Sequence, residues 1–242
     1  MLKKLIKLNA NDLLLYLVAE GGAFLLVQII IGCVMRFGGP ETSVTLGCIL
    51  FPIIGVICAV IAGISHVGVS FDQALRFGQT RRRALGLTLG LISFEAAFAL
   101  ALGALLAAVE RLLGPPLWAR LAGMNGYASG RIFFAPEGAM VDGELVSGKT
   151  LLIETFTLDW YWWPLAFAVA VAGGLIVGAV IQRFGAKGGW FIWGVCMAPI
   201  FLEQLIPWER FGVSWLIPAL VILFVGGLLW SVWSLLHAVV KV

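Results

Sequence analysis

Apolar runs of about twenty residues recur along this chain and limit what it can fold into. They cover residues 13–35, 44–65, 85–106, 164–182, 189–206 and 213–236. A helix of roughly twenty residues crosses a hydrocarbon core about 30 Å thick. Only 12% of the residues are charged, whereas soluble domains contain about 25% charged residues. The sequence therefore predicts an all-α polytopic membrane protein, with six transmembrane helices in a single domain over residues 1–242.

Lysine and arginine predict the orientation of these spans. In the short loops and tails, one side of the membrane has ten basic residues and the other has Arg36 and Arg210. Cytoplasmic loops carry the excess of positive charge, so both termini are expected in the cytoplasm. Segment 1–12, where leucines and lysines are interleaved, is expected to be an interfacial helix in contact with membrane lipid. The ten basic residues are Lys3, Lys4, Lys7, Arg76, Arg81, Arg82, Arg83, Arg183, Lys187 and Lys241.

Residues 110–159 form the one long hydrophilic segment, which is expected outside the cytoplasm. Pro115 and Pro116 predict the end of a helix, and residues 117–124 a second, short helix. Residues 139–156 predict a β-hairpin with VDGELVSGK as its turn region and LLIETF as a strand. The match of residues 143–150 to the pattern GxxxxGK[ST] is rejected as a nucleotide site, because no preceding buried strand and following helix are predicted around it.

Two carboxylates, Glu20 and Glu95, fall near the middle of predicted spans. A lone carboxylate at that depth costs several kcal/mol, so both should face the protein interior or a water-filled cavity. One interpretation is that they line a transport path or a proton-linked site. The other is a structural hydrogen bond between helices, for example to Gln28 or Ser93. The sequence leaves both interpretations open.

The remaining polar residues do not indicate an active site. The four cysteines have no CxxC spacing, and His66 and His237 fall at predicted span ends, where interfacial anchoring is expected rather than metal binding. The chain has no GxSxG or HExxH motif. We therefore expect no enzymatic activity in this chain, no cofactor or metal, and no nucleic-acid partner.

Two glycine pairs, Gly86 with Gly90 and Gly174 with Gly178, have the GxxxG spacing. Such pairs let neighbouring membrane helices approach closely. We expect both to act in helix packing.

The polar stretch of residues 68–84 lies between the second and third predicted spans. Ser70 and Gln73 have capping-box spacing, so a short helix is predicted to begin there. Its apolar face has Phe71 and Leu75, and Gly78 is expected to end it. Its polar face has Asp72, Arg76 and Gln79. Thr80 is then predicted to cap the next helix, which begins with an arginine triplet, Arg81, Arg82 and Arg83.

The sequence ALRFGQTRRRALGLTL, residues 74–89, resembles the cytoplasmic loop between the second and third spans of permease subunits in bacterial type-2 ABC exporters. The basic N-terminal segment, the six predicted spans and the cytoplasmic termini are similar as well. Many members of that family have re-entrant helices between the fifth and sixth spans, whereas residues 207–212 are a short connection here.

The resemblance implies a multi-pass subunit of the bacterial plasma membrane that exports peptide, lipid or drug-like substrates. Such a permease pairs with a second permease, as a homodimer or a heterodimer, and has no ATPase of its own. ATP and Mg²⁺ would be bound by separate ATP-binding cassette subunits, which dock on the loop as a coupling helix. The residues that the resemblance assigns to docking are Phe71, Asp72, Leu75, Arg76, Phe77, Gln79 and Arg81.

An alternative function keeps the same six spans but removes the partner. In it, the chain is a stand-alone transporter or binding protein, Glu20 and Glu95 form an ion or proton site, and the arginine triplet is only a membrane anchor.

Overall fold

The computed structural model describes residues 10–38, 42–135, 138–146, 149–205 and 216–237. Most of these residues are helical. A five-residue π-helical turn, His66–Ser70, joins the second helix to the third. The helices are α1 (Ala10–Gly38), α2 (Gly47–Ser65), α3 (Phe71–Arg76), α4 (Arg81–Leu121), α5 (Trp162–Phe184), α6 (Ala186–Leu205) and α7 (Leu216–Leu236).

Among these described residues, four helical stretches are long and apolar enough to cross a membrane: α1, α2 continued through α3, α4 and α5. They contain 29, 30, 41 and 23 residues. Helices α6 and α7 have 20 and 21 residues, and the count of six spans stays a prediction. Most of the predicted interfacial helix and the short connection at 207–212 lie outside the described residues.

The chain divides into two compact units. The first comprises Met1–Cys58 and Ala97–Phe167, and the second comprises Ala59–Ala96 and Ala168–Val242.

The described residues of the first unit form six short strands, so the hydrophilic segment carries more β-structure than one hairpin. The strands are β1 (Thr42–Thr45), β2 (Gly126–Gly130), β3 (Ile132–Ala135), β4 (Gly138–Val141), β5 (Glu144–Leu145) and β6 (Thr150–Thr155). They form a parallel sheet in the order β1-β6-β2 and an antiparallel sheet in the order β3-β4-β5.

Strand β6 corrects the predicted hairpin. It is the centre of the parallel sheet, with Leu152 opposite both Thr42 and Ala128. Leu151, Leu152 and Ile153 are all buried, and a continuous apolar run is typical of a strand covered on both faces. The hairpin forms earlier, between β4 and β5, around Asp142 and Gly143 with φ angles of 51° and 91°. Positive φ at both central residues is the requirement of a type I′ turn.

Helix α4 corrects the predicted break at the prolines, because it continues through Pro115 and Pro116 to Leu121. Each proline removes one helical hydrogen bond. The packing that follows compensates: Trp118 is fully buried in a core with Ala119, Met35, Leu151 and Ile153. Tertiary contacts therefore override the local preference.

The second unit has its core around Val67, Phe71, Ile92, Leu175 and Leu235. In this unit, the Gly174–Gly178 pair acts in helix packing as predicted. A Cβ added at Gly174 would lie 3.1 Å from the Gly63 Cα, and one at Gly178 would lie 2.6 Å from the Val67 Cβ. The Gly86–Gly90 pair makes no such contact in the part of the chain that the structure describes, since a Cβ at either position would meet nothing within 4 Å.

Candidate functional site

The α3–α4 loop, Phe77–Thr80, has a defined backbone conformation. Gly78 has a φ of 77°. Its N–H donates to the Leu75 carbonyl at 3.0 Å, and the Gln79 N–H donates to the Ala74 carbonyl at 3.1 Å. This pair of bonds is a Schellman motif, which ends a helix at a glycine in the left-handed conformation. The prediction that Gly78 ends the short helix is confirmed, and α4 begins at Arg81, directly after Thr80.

The surface around this loop is basic, with one large apolar side chain. Phe77 is 85% exposed. Arg76 and the arginine triplet are exposed as well. Arg81 Nη1 donates to the Leu236 carbonyl at 3.1 Å and so links the start of α4 to the end of α7. The loop thus offers an exposed aromatic ring in a stretch of the chain whose neighbouring arginines are also exposed.

Other residues of the predicted docking set face the protein interior or bond to a neighbouring helix. Phe71 is fully buried in the core of the second unit, and its contact with a partner stays a prediction. Leu75 packs against the same core. Asp72 Oδ1 accepts a hydrogen bond from Gln182 Nε2 at 2.7 Å, which ties α3 to α5. Gln79 is half-buried, and its Oε1 has no hydrogen-bond partner among the described residues.

The predicted capping box at Ser70 does not form. Ser70 has helical φ and ψ angles of −68° and −39° and makes no side-chain cap. Helix α2 passes through the π-helical turn directly into α3, so one helix runs from Gly47 to Arg76. The predicted short helix is therefore the end of the second span rather than a separate element.

A buried pair, His66 and Glu95, lies within the second unit. His66 Nε2 is 2.7 Å from Glu95 Oε1, and His66 Nδ1 is 3.2 Å from Ser70 Oγ. Both side chains are buried, so the expectation that His66 is an interfacial anchor is wrong. The suggested Glu95 partner Ser93 is replaced by a histidine 29 residues away, a separation from which sequence spacing predicts nothing.

Glu20, in the first unit, is fully buried, and neither carboxylate oxygen has a hydrogen-bond partner among the described residues. It lies beside Gly55, where an added Cβ would be 3.3 Å from Glu20 Oε1. An ionised carboxylate without a partner is costly to bury. This site therefore suits the neutral acid, and Gln28, suggested as its partner, is bonded elsewhere.

Gln28 belongs to a network around Glu110 that the sequence did not predict. Gln28 Nε2 donates to Glu110 Oε1 at 3.2 Å, and the Gly47 N–H donates to Glu110 Oε2 at 2.7 Å. Trp118 Nε1 donates to Gln28 Oε1 at 3.1 Å. The network connects α1, α2 and α4 within the first unit. Its only sequence signal is an acid at the edge of an apolar run.

The apolar helices define the class to which this chain belongs, that of helical membrane proteins. No protein family, curated protein or solved structure matches the chain.

Proposed function

We propose that this chain is a transmembrane permease subunit of a bacterial ABC exporter, driven by separate ATP-binding subunits that dock on the α3–α4 loop. The observation that carries the proposal is the exposed Phe77 on a fixed turn among exposed arginines. Aromatic residues, phenylalanine included, and arginine are enriched at protein–protein interfaces. Residues 74–89 resemble the coupling loops of type-2 ABC exporters, and this resemblance indicates that the partner is an ATP-binding cassette subunit.

The connections of the loop support a coupling role. On one side it continues a helix of 30 residues, and on the other it begins one of 41 residues. Asp72, through Gln182, and the buried Phe71 fasten α3 to the second unit. A displacement of Phe77 by a partner would therefore move the two helices on either side of the loop, rather than a flexible linker. Hinge and shear motions of packed helices are typical of conformational switching.

The rest of the assembly follows from the same proposal. Helices α6 and α7, at roughly 1.5 Å per residue, are each long enough to complete six spans, with both termini cytoplasmic. A second permease, identical or not, would complete the transport path. ATP and Mg²⁺ would be bound by the partner subunits.

The test compares two phenylalanines of equal exposure. Phe77→Ala should abolish co-purification of the ATP-binding cassette subunit and its ATPase activity with the tagged chain. Phe37→Ala, at a site that is also 85% exposed, should retain both. Equal retention by the two variants would refute the proposal, as would ATPase activity of the isolated chain.

One observation favours the alternative of a stand-alone, proton-linked or ion-linked transporter: Glu20 is a buried acid without a hydrogen-bond partner among the described residues. The alternative requires that Glu20→Gln and Glu95→Gln abolish transport while the Phe77→Ala variant transports normally. The proposed ABC function requires that Phe77→Ala abolish transport.

A further inference from the structure

An apolar groove of about 800 Å³ lies between α5, α6 and α7 in the second unit. Its lining includes Ile176, Val180, Phe191, Leu223, Gly226 and Trp230. Phe191 and Leu223 are each 67% exposed. The groove exists because small residues face it: a Cβ added at Gly226 would meet nothing within 4 Å. At the other wall, Gly188 lets α6 approach α5, since its Cβ would lie 2.8 Å from the Val180 carbonyl oxygen.

Two basic side chains lie at one end of this groove. Lys187 is part of its lining and is exposed. It has no carboxylate partner among the described residues. The Arg183 guanidinium lies over the rings of two lining residues, 5.8 Å from the Phe184 centroid and 5.7 Å from the Trp230 centroid. Positive charge is therefore concentrated where an otherwise apolar groove ends.

We propose that this groove binds one anionic phospholipid of the bilayer, with an acyl chain along the groove and the phosphate at Lys187. The volume lies within the usual 300–1,000 Å³ range of ligand sites. A basic group at the end of a groove between membrane helices complements a lipid phosphate. A transmembrane helix of another protein would fill the apolar part, but it would leave Lys187 without a counter-charge. The proposal does not depend on the ABC function.

The test titrates the purified full-length chain with phosphatidylglycerol and with phosphatidylcholine of identical acyl chains, and counts bound lipid by native mass spectrometry. We expect one phosphatidylglycerol to bind more tightly than phosphatidylcholine. Lys187→Gln should weaken its binding about fivefold, because a basic residue adds that much attraction to an anionic lipid surface. Gly226→Leu should weaken binding of both lipids by filling the groove.

Matched controls separate the groove from general lipid contact. Arg82→Gln removes an exposed charge on the same predicted side of the membrane. Gly90→Leu adds the same side chain at another exposed glycine whose Cβ would meet nothing within 4 Å. Neither should change phosphatidylglycerol binding. Equal binding by wild type, Lys187→Gln and Gly226→Leu would overturn the proposal, and so would equal affinity for the two lipids.

A second measurement does not require the Gly226→Leu variant to fold. A photo-crosslinking phenylalanine derivative at Phe191, in vesicles of phosphatidylcholine with and without phosphatidylglycerol, should give a phosphatidylglycerol adduct. An adduct with a second copy of the chain or with another protein would identify the groove as a protein interface and refute the lipid site.

Discussion

A close helix contact in the second unit gives a graded prediction, because Gly63 faces Gly174 with no side chain between them. An added Cβ at Gly63 would lie 2.6 Å from the Gly174 Cα, and one at Gly174 would lie 3.1 Å from the Gly63 Cα. Ordinary carbon–carbon contacts are about 3.5–4.0 Å. Gly63→Ala therefore requires the two helices to separate by roughly 1 Å there, whereas Gly174→Ala requires less movement.

The expected magnitude follows from this crowding. Overpacking a tight contact costs about 1–3 kcal/mol. We expect Gly63→Ala to lower the free energy of unfolding by an amount in the upper part of that range. At 2–4 °C per kcal/mol for a chain of this size, a loss of about 2–3 kcal/mol should lower the melting temperature by roughly 4–12 °C. Gly174→Ala should lose less. Gly86→Ala is the matched control, since its Cβ would meet nothing within 4 Å and alanine gains about 1 kcal/mol of helix propensity over glycine.

The assay is thermal unfolding of the purified variants in one detergent, followed by the intrinsic fluorescence of the tryptophans. The expected order of melting temperatures is Gly86→Ala at or above wild type, then Gly174→Ala, then Gly63→Ala. A Gly63→Ala protein that melts at the wild-type temperature would refute the claim that these backbones touch. Equal losses for Gly63→Ala and Gly86→Ala would show that the effect comes from the helix rather than from the contact.

Three further predictions concern the buried carboxylates. Glu110→Ala should lower the free energy of unfolding by about 1–3 kcal/mol, because it leaves buried donors unpaired; Arg111→Ala, at an exposed neighbouring site, should change it by less than about 0.5 kcal/mol in the same chemical unfolding experiment. Glu20→Gln should leave the melting temperature close to that of wild type, because the neutral acid and the amide have the same shape and neither has a hydrogen-bond partner among the described residues at this site; a clear decrease would contradict this. His66→Ala should lower the free energy of unfolding by about 1–3 kcal/mol, because it removes the imidazole bonded to Glu95 Oε1. In a double-mutant cycle, adding Glu95→Ala should recover part of that loss, so additive losses would argue against the pair.

The sequence predicts the helices better than the contacts between them. Long apolar runs are local, and each of the four described stretches that could cross a membrane contains most or all of one predicted span. Strand β1 was not predicted, because its four residues gain their structure only by pairing with β6, more than 100 positions later. The helix through Pro115 was not predicted for a similar reason, since the burial of Trp118 that compensates for it comes from distant parts of the chain.

Some features of the candidate site could likewise be predicted from the sequence, and others could not. Gly78 has a strong local preference for the left-handed conformation, so the end of α3 could be predicted. The partners of the buried carboxylates could not, because each bond joins different helices: Glu95 is paired with His66, and Glu110 with Gln28. Periodicity identifies which residues share a face, but it does not identify the residues on the helix opposite.

The π-helical turn explains how one helix serves both the buried pair and the exposed loop. A π-helical turn contains one extra residue, which changes the direction of every side chain after it. Its first residue, His66, faces Glu95, and the hydroxyl of its last residue, Ser70, lies at the His66 imidazole rather than capping a backbone N–H. Phe71 then enters the core, and the chain reaches Phe77 with that ring exposed. Each residue of a regular α-helix turns the side-chain direction by about 100°, so without the extra residue the Phe71 side chain would be rotated by about that angle from its present direction in the core. The orientation of the loop is therefore fixed by the same backbone feature that positions the buried histidine.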